Sequence, residues 1–230
     1  MADAVEPQVG GEDEEFTTLG VLGDPVRRAL YRFVAGRPGE SGREAAAEAA
    51  GVSRSLAAFH LDKLVEAGLL EVSYRRLSGR SGPGAGRPAK LYRRAAGEHA
   101  VTVPPRSYGD AGRLLAEVVE QAGLDRELQC AAHAVGARAA DSGAEADVLA
   151  LLRERGYQPY ADGEGAVRLH NCPFRALAEE FPALVCGMNL ALVRGLLAGG
   201  GGAAAAPWSA EMDPAPGGCC VALHSKTNSD

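Results

Sequence analysis

Three helix-forming segments, each with its own start and stop signal, follow one another between Asp24 and Ala67, and this punctuation limits the fold more than any other feature of the chain. Asp24 can cap a first helix that opens on Pro25, where a missing N–H is harmless. Val26, Leu30, Phe33 and Val34 recur at helical spacing until Gly36 and Gly39 stop the element. Ser41-Gly-Arg-Glu44 reads as a capping box for a second, Ala-rich helix that ends at Gly51. Ser53 can cap a third that reaches Ala67. Ala57, Leu61, Leu64 and Gly68 fall on one face of it, leaving Arg54, Ser55, Ala58 and Lys63 largely on the other.

A short strand from Gly68 to Tyr74 follows, then a flexible Gly- and Pro-rich stretch from Ser78 to Pro88, and Lys90 to Arg93 returns as a second strand. Helix, helix, turn, helix and a hairpin with a long basic tip is the order of a winged helix-turn-helix. The expected domain spans 16–96, behind an acidic tail over 1–15 that lacks an apolar period and is expected to be disordered.

Charge agrees with that order. The formal net charge is −6, but it is segregated by sign. Residues 1–20 carry six acids and no base, residues 21–94 carry 14 bases and seven acids, and residues 95–230 carry 10 bases and 17 acids. A positive block between two acidic ones is the footprint of a module that meets polyphosphate. Seven Lys or Arg lie between Arg75 and Arg94 with no acid among them. Arg75, Arg76, Arg80, Arg87 and Lys90 sit on or beside the hairpin, where phosphate contact releases counterions. Arg54 and Ser55 open the third helix, where a reading helix presents side chains to base edges in the major groove.

Behind Pro104-Pro105 a helical region over 106–141, broken near Gly123, carries an apolar stripe of Leu114, Leu115, Val118 and Val119. That stripe suits either a dimer helix or core packing. Residues 142–224 read as a small α+β domain, and 225–230 as a tail. Gly156 to Tyr160 and Ala166 to His170 flank a turn at Asp162-Gly-Glu-Gly165, and a helical pattern from Phe174 to Ala198 is interrupted at Pro182. After a low-complexity Gly199 to Ala206 run, Trp208 to Met212 and Cys219 to Leu223 complete the sheet. The fold class is therefore α+β. With aromatics at 5%, packing must lean on Leu, Val and Ala. No secretion signal or membrane span is expected, and five cysteines, an odd number, argue for a reduced cytoplasmic compartment. No nucleophile motif or phosphate loop stands out, so the chain does not read as an enzyme.

The run Val52-Ser-Arg-Ser-Leu-Ala-Ala-Phe-His-Leu-Asp-Lys-Leu-Val-Glu-Ala-Gly-Leu-Leu70 resembles the recognition helix of ArsR-type regulators, and Gly86-Arg-Pro-Ala-Lys-Leu-Tyr92 resembles their returning wing strand. The resemblance implies a homodimer on double-stranded DNA, with Arg54, Ser55 and His60 at the DNA, Lys63 beside them, and the wing arginines on flanking backbone or minor groove.

Four cysteines fall in the last 60 residues: Cys172, Cys186, Cys219 and Cys220. Their spacing matches neither a zinc ribbon nor a ferredoxin run. Cys219 and Cys220 are adjacent on an expected strand and should face opposite ways. Cys219 shares its side with Val221 and Leu223, toward the core, and Cys220 is spare. A fourth ligand is left to His170, Cys130 or an exogenous group. Asn171-Cys-Pro-Phe-Arg-Ala-Leu, Val185-Cys-Gly-Met-Asn-Leu-Ala-Leu and Gly218-Cys-Cys-Val-Ala-Leu resemble the C-terminal domain of SufR-like repressors, which sense a bound iron–sulfur cluster. That resemblance implies an iron–sulfur cluster on Cys172, Cys186 and Cys219. Zinc at the same thiols, and thiols that merely pack, stay open as alternatives.

Overall fold

The first helix, α1 (Gly10–Gly20), begins inside the segment expected to be a disordered tail through residue 15. Its ordering is tertiary: Glu15 meets His99 Nδ1 at 3.2 Å and Thr18 is buried, neither of which a local pattern announces. The computed structural model describes residues 10–76, 88–141, 147–199, 208–215 and 217–225. Most of the tip between the two basic strands, most of the Gly199 to Ala206 run and residues 226–230 lie outside the described residues. The chain divides into two units, residues 1–106 and 107–230.

In the first unit a 3-10 turn over Val21–Gly23 leads into α2 (Pro25–Ala35). Asp24 caps α2 by accepting the amide of Arg27 at 2.9 Å, and that bond holds its carboxyl below the ordinary value. The expected capping box does not form. Ser41–Gly42 is instead a two-residue strand, β1, and Gly42 opens α3 (Arg43–Ala50) without a side-chain cap. Ser41 is drawn away because β1 pairs antiparallel with the last strand of the unit, and Glu44 turns outward to Arg54. Gly51, at φ 66°, closes α3, and Ser53 caps α4 (Arg54–Glu66) by accepting the Leu56 amide at 3.3 Å. β2 (Leu70–Arg75) and β3 (Ala89–Arg94) complete a sheet of order β1-β3-β2. Leu30, Val34, Ala46, Ala57, Leu61, Leu64 and Tyr92 form its core. Each buried Leu there contributes roughly 1.5–3 kcal/mol, enough to hold three short helices in place.

The second unit begins with α5 (Tyr108–Gln121) and α6 (Asp125–Asp141), separated at Gly123, whose φ is 66°. α7 (Val148–Glu154), β4 (Pro159–Ala161), β5 (Ala166–Leu169), α8 (Arg175–Glu180), α9 (Pro182–Gly199), β6 (Trp208–Met212) and β7 (Val221–Ser225) follow. The sheet order is β4-β5-β7-β6, antiparallel throughout. Asp162 builds the β4–β5 turn, accepting the amides of Glu164 at 2.9 Å and Ala166 at 3.1 Å.

α6 and α9 pack backbone to backbone. A Cβ added at Gly136 would strike the Leu192 carbonyl, one at Gly195 the His133 carbonyl, and one at Gly199 the Ala137 carbonyl. α6 thus packs within the second unit, residues 107–230. α9 is long and apolar enough to cross a bilayer by length and composition alone. Its apolarity has a different cause in this fold: Leu184, Val185, Val193 and Leu196 are buried, and so is the polar Asn189 at mid-helix.

Candidate nucleic-acid interface and thiol centre

α4 turns Ala57, His60, Leu61 and Leu64 inward and leaves Arg54, Ser55 and Lys63 exposed. His60 is only 7% exposed, which corrects its expected place at the DNA. It lies three residues after Ala57 and four before Leu64, so the helical period puts it on the buried face. Its ring meets the edge of Phe59 at 5.3 Å, and its Nδ1 has no hydrogen-bond partner among the described residues. Two residues that sequence reasoning missed occupy the outer face: Leu56, 40% exposed, and Phe59, 58% exposed. Counting in steps of three and four from Ser55 would have found Phe59.

The expected basic residues are less free than their sequence neighbourhood implies. Arg54 pairs with Glu44 at 2.7 Å, Lys63 with Glu66 at 2.7 Å, Arg75 with Glu40 at 3.2 Å and Lys90 with Asp62 at 2.6 Å. The acid-free run from Arg75 to Arg94 therefore acquires carboxylates from α4 and from the segment before β1. Burial works against the charge of Lys90, but its hydrogen bond to Asp62 and the proximity of Tyr92 raise its pKa overall. Arg43 is raised chiefly by its hydrogen bond to Tyr92. Arg76 is exposed, with no ion pair among the described residues; Arg80 and Arg87 lie outside them. Gly42, Arg43, Arg54, Tyr74, Lys90 and Leu91 help line a surface cavity of about 620 Å³ between the start of α4 and the base of the hairpin.

In the second unit Cys172 and Cys219 are both buried in one core cluster, where each thiol acts on the pKa of the other. β7 starts only at Val221, so the two adjacent cysteines immediately precede the strand. Cys219 is buried in the core of this unit, and Cys220, half-buried, packs against the same core. Asn189 donates its amide to Cys219 Sγ at 3.1 Å and accepts the Tyr157 hydroxyl at 2.5 Å. The Cys219 thiol, then burial, push the Cys172 thiol up. For Cys219 the Cys172 thiol acts downward, but Cys220 and burial outweigh it. Burial also pushes the Tyr157 hydroxyl up.

Cys186 does not share in this hydrogen-bonded set. It lies on α9 three residues before Asn189, and among the described residues no three His, Cys, Asp or Glu side chains form a metal-ligating group. His170 stands edge-on to Tyr160, and Cys130 is exposed on α6. The donors nevertheless suit a thiophilic group in kind. Two soft sulfurs meet, and an amide N–H already points at one of them.

Comparison with known proteins bears on the first unit. No curated protein matches the chain. A solved structure from Mycobacterium bovis, the homodimeric winged helix-turn-helix DNA-binding domain (fragment 1–100) of a possible ArsR-family transcriptional regulator, is 24% identical. The match covers 54% of this chain and 91% of that one, with a TM-score of 0.31, too loose a superposition to transfer any property. A family model described as a helix-turn-helix domain matches residues 22–73. Such a domain is a binding module and not an enzyme. From the 3-10 turn before α2 to Ser73 in β2, this chain carries a helix-turn-helix domain.

Proposed function

We propose that the protein is a homodimeric ArsR-type transcription regulator, acting as a repressor in the cytoplasm, that grips double-stranded DNA through its first unit and senses through the thiols of its second. The observation that carries the reading is the outer face of α4: Arg54, Ser55 and Lys63 stand exposed on the third helix of a matched helix-turn-helix domain, with Arg75 and Arg76 at the end of the adjoining strand. A reading helix and a basic hairpin are the two parts such a head presents to a duplex. Lys90, Arg80 and Arg87 add to the phosphate-facing charge.

Dimerisation is supported by α5. Leu114, Leu115 and Val118 are 62–68% exposed on it, and α5 has no buried residue within the chain. A stripe of that kind suits burial against a second copy, which would bring two reading helices to a two-fold operator about one turn apart.

For the thiol centre the resemblance to SufR-like repressors points to an iron–sulfur cluster, and the soft donor set supports it over a hard cation. Cys172 and Cys219 would supply two ligands. Cys186 would supply the third from α9, where Asn189 three residues on already touches Cys219. The group would supply redox sensitivity, and the chain's own part is to bury the thiols and aim the Asn189 amide at sulfur. Zinc at the same thiols is the less favoured occupant.

Three measurements test the reading. Full-length protein should bind duplex DNA with an affinity that falls steeply as salt rises, and Leu115→Asp should convert a dimer to a monomer in sedimentation. Anaerobically purified protein should carry iron and acid-labile sulfide that Cys172→Ser, Cys186→Ser and Cys219→Ser remove and Cys130→Ser does not. A colourless protein that takes up no iron and sulfide on reconstitution would end the cluster reading and leave the DNA reading standing.

A further inference from the structure

Leu56 and Phe59 do not pack against the core of their unit, and both stand on the outer face of α4. A lone exposed apolar residue is ordinary on a protein surface. These two are three residues apart, and Ser55, Phe59 and Lys63 recur at four-residue steps, so all of them share one face of the helix. Two cations of α4, Arg54 and Lys63, flank that face, each paired with a carboxylate, Glu44 and Glu66. Arg75 and Arg76 lie at the end of β2. An apolar centre flanked by cations suits a partner that is anionic at its edges and apolar within. The major groove offers that combination at one group, the 5-methyl of a pyrimidine, framed by phosphates on both sides.

Resting on the reading of this unit as a DNA-binding head, we propose that Leu56 and Phe59 read pyrimidine 5-methyl groups in the major groove, so that each half-site of the operator places thymine or 5-methylcytosine against them. Ser55 and Arg54 supply polar contacts beside the methyl. The apolar pair contributes discrimination between sequences, while the surrounding cations contribute affinity common to all sequences.

The test needs no knowledge of the natural operator. Duplexes bound by the full chain are selected from a random pool, and in the best site each thymine is replaced in turn by deoxyuridine, which removes the methyl and nothing else. Burial of one methyl predicts a three- to tenfold loss, roughly, at one or more positions in each half-site. Phe59→Ala, with Leu56→Ala as a second variant, should bind the thymine and uridine duplexes equally while keeping the salt dependence of the parent. Replacing the sensitive pair by 5-methylcytosine–guanine separates the two sources: retained affinity assigns recognition to the methyl whichever base bears it, and lost affinity assigns it to thymine. Salt-dependent binding that tolerates uridine at every position overturns the methyl reading alone. The absence of salt-dependent duplex binding overturns the regulator reading and this proposal with it.

Discussion

Lys90 Nζ lies 2.6 Å from Asp62 Oδ1, and the Tyr92 hydroxyl donates to the same oxygen at 3.2 Å, so one carboxylate on α4 holds two residues of β3. The pair is partly exposed, which limits its worth to stability. Asp62→Asn should lower unfolding stability by less than about 1 kcal/mol. The same change frees a cation beside the expected phosphate path. Duplex affinity should therefore rise severalfold at low salt, with the gain fading as salt is added. Anisotropy titrations over a salt series measure the second effect, and urea unfolding the first.

Asn189 offers a harsher perturbation, because it and both its partners are buried. It is fully buried, with Tyr157 on its carbonyl and Cys219 on its amide. Asn189→Ala strips both partners and opens a void, at an expected cost of about 2–4 kcal/mol. Tyr157→Phe should cost less, about 1 kcal/mol, since it leaves one acceptor unmet. Trp208, the single tryptophan, lies in β6 of the same unit, so its fluorescence in denaturant reports the loss directly.

Gly195 is a steric lock between two helices. A methyl there meets the backbone of His133 and Ala137, which cannot swing aside as a side chain would. Gly195→Ala should destabilise the second unit by about 1–3 kcal/mol or more. Gly23→Ala, where a Cβ meets nothing within 4 Å, should change stability little. Paired thermal melts of the two variants check the contrast.

Much of the first unit is legible from local chemistry. Asp24 and Ser53 cap their helices as residue type and position require, because a cap is a contact between residues three apart in sequence. The failures share one cause. Ser41 leaves its capping box to pair with Tyr92, and the basic hairpin gains Glu40 and Asp62 from distant segments. Each is a long-range contact that no window of sequence contains. α1 escaped because it has no marked apolar period, and α7 because it is only seven residues long. At the thiol centre the choice of Cys172 and Cys219 rested on residue type and resemblance. The part played by Asn189 and Tyr157 was invisible, because nothing in α9 distinguishes a buried asparagine from an exposed one until the strands close over it.

Acid sensitivity should be found at the β4–β5 turn as well as at the Asp24 cap. The amides of Glu164 and Ala166, with Arg168, hold the Asp162 carboxyl below its ordinary value of 3.8. As pH falls the unfolded chain takes up this proton first, so the contribution to stability is complete above about pH 3.8 and is lost as pH drops through the lower folded value. Asp162→Asn should lower stability near neutrality and flatten the acid limb of the stability curve. Unfolding followed at a series of pH values between 2 and 6, roughly, measures both.

The two-residue strand Ser41–Gly42 has a mechanical consequence. Both its residues pair with β3, at Tyr92 and Leu91, and Gly42 opens α3 directly, so the returning arm of the hairpin and the helix preceding the reading helix share a single joint. Any substitution that shortens, stiffens or re-angles that arm therefore re-aims the whole head, and the two parts can vary in evolution only as a couple.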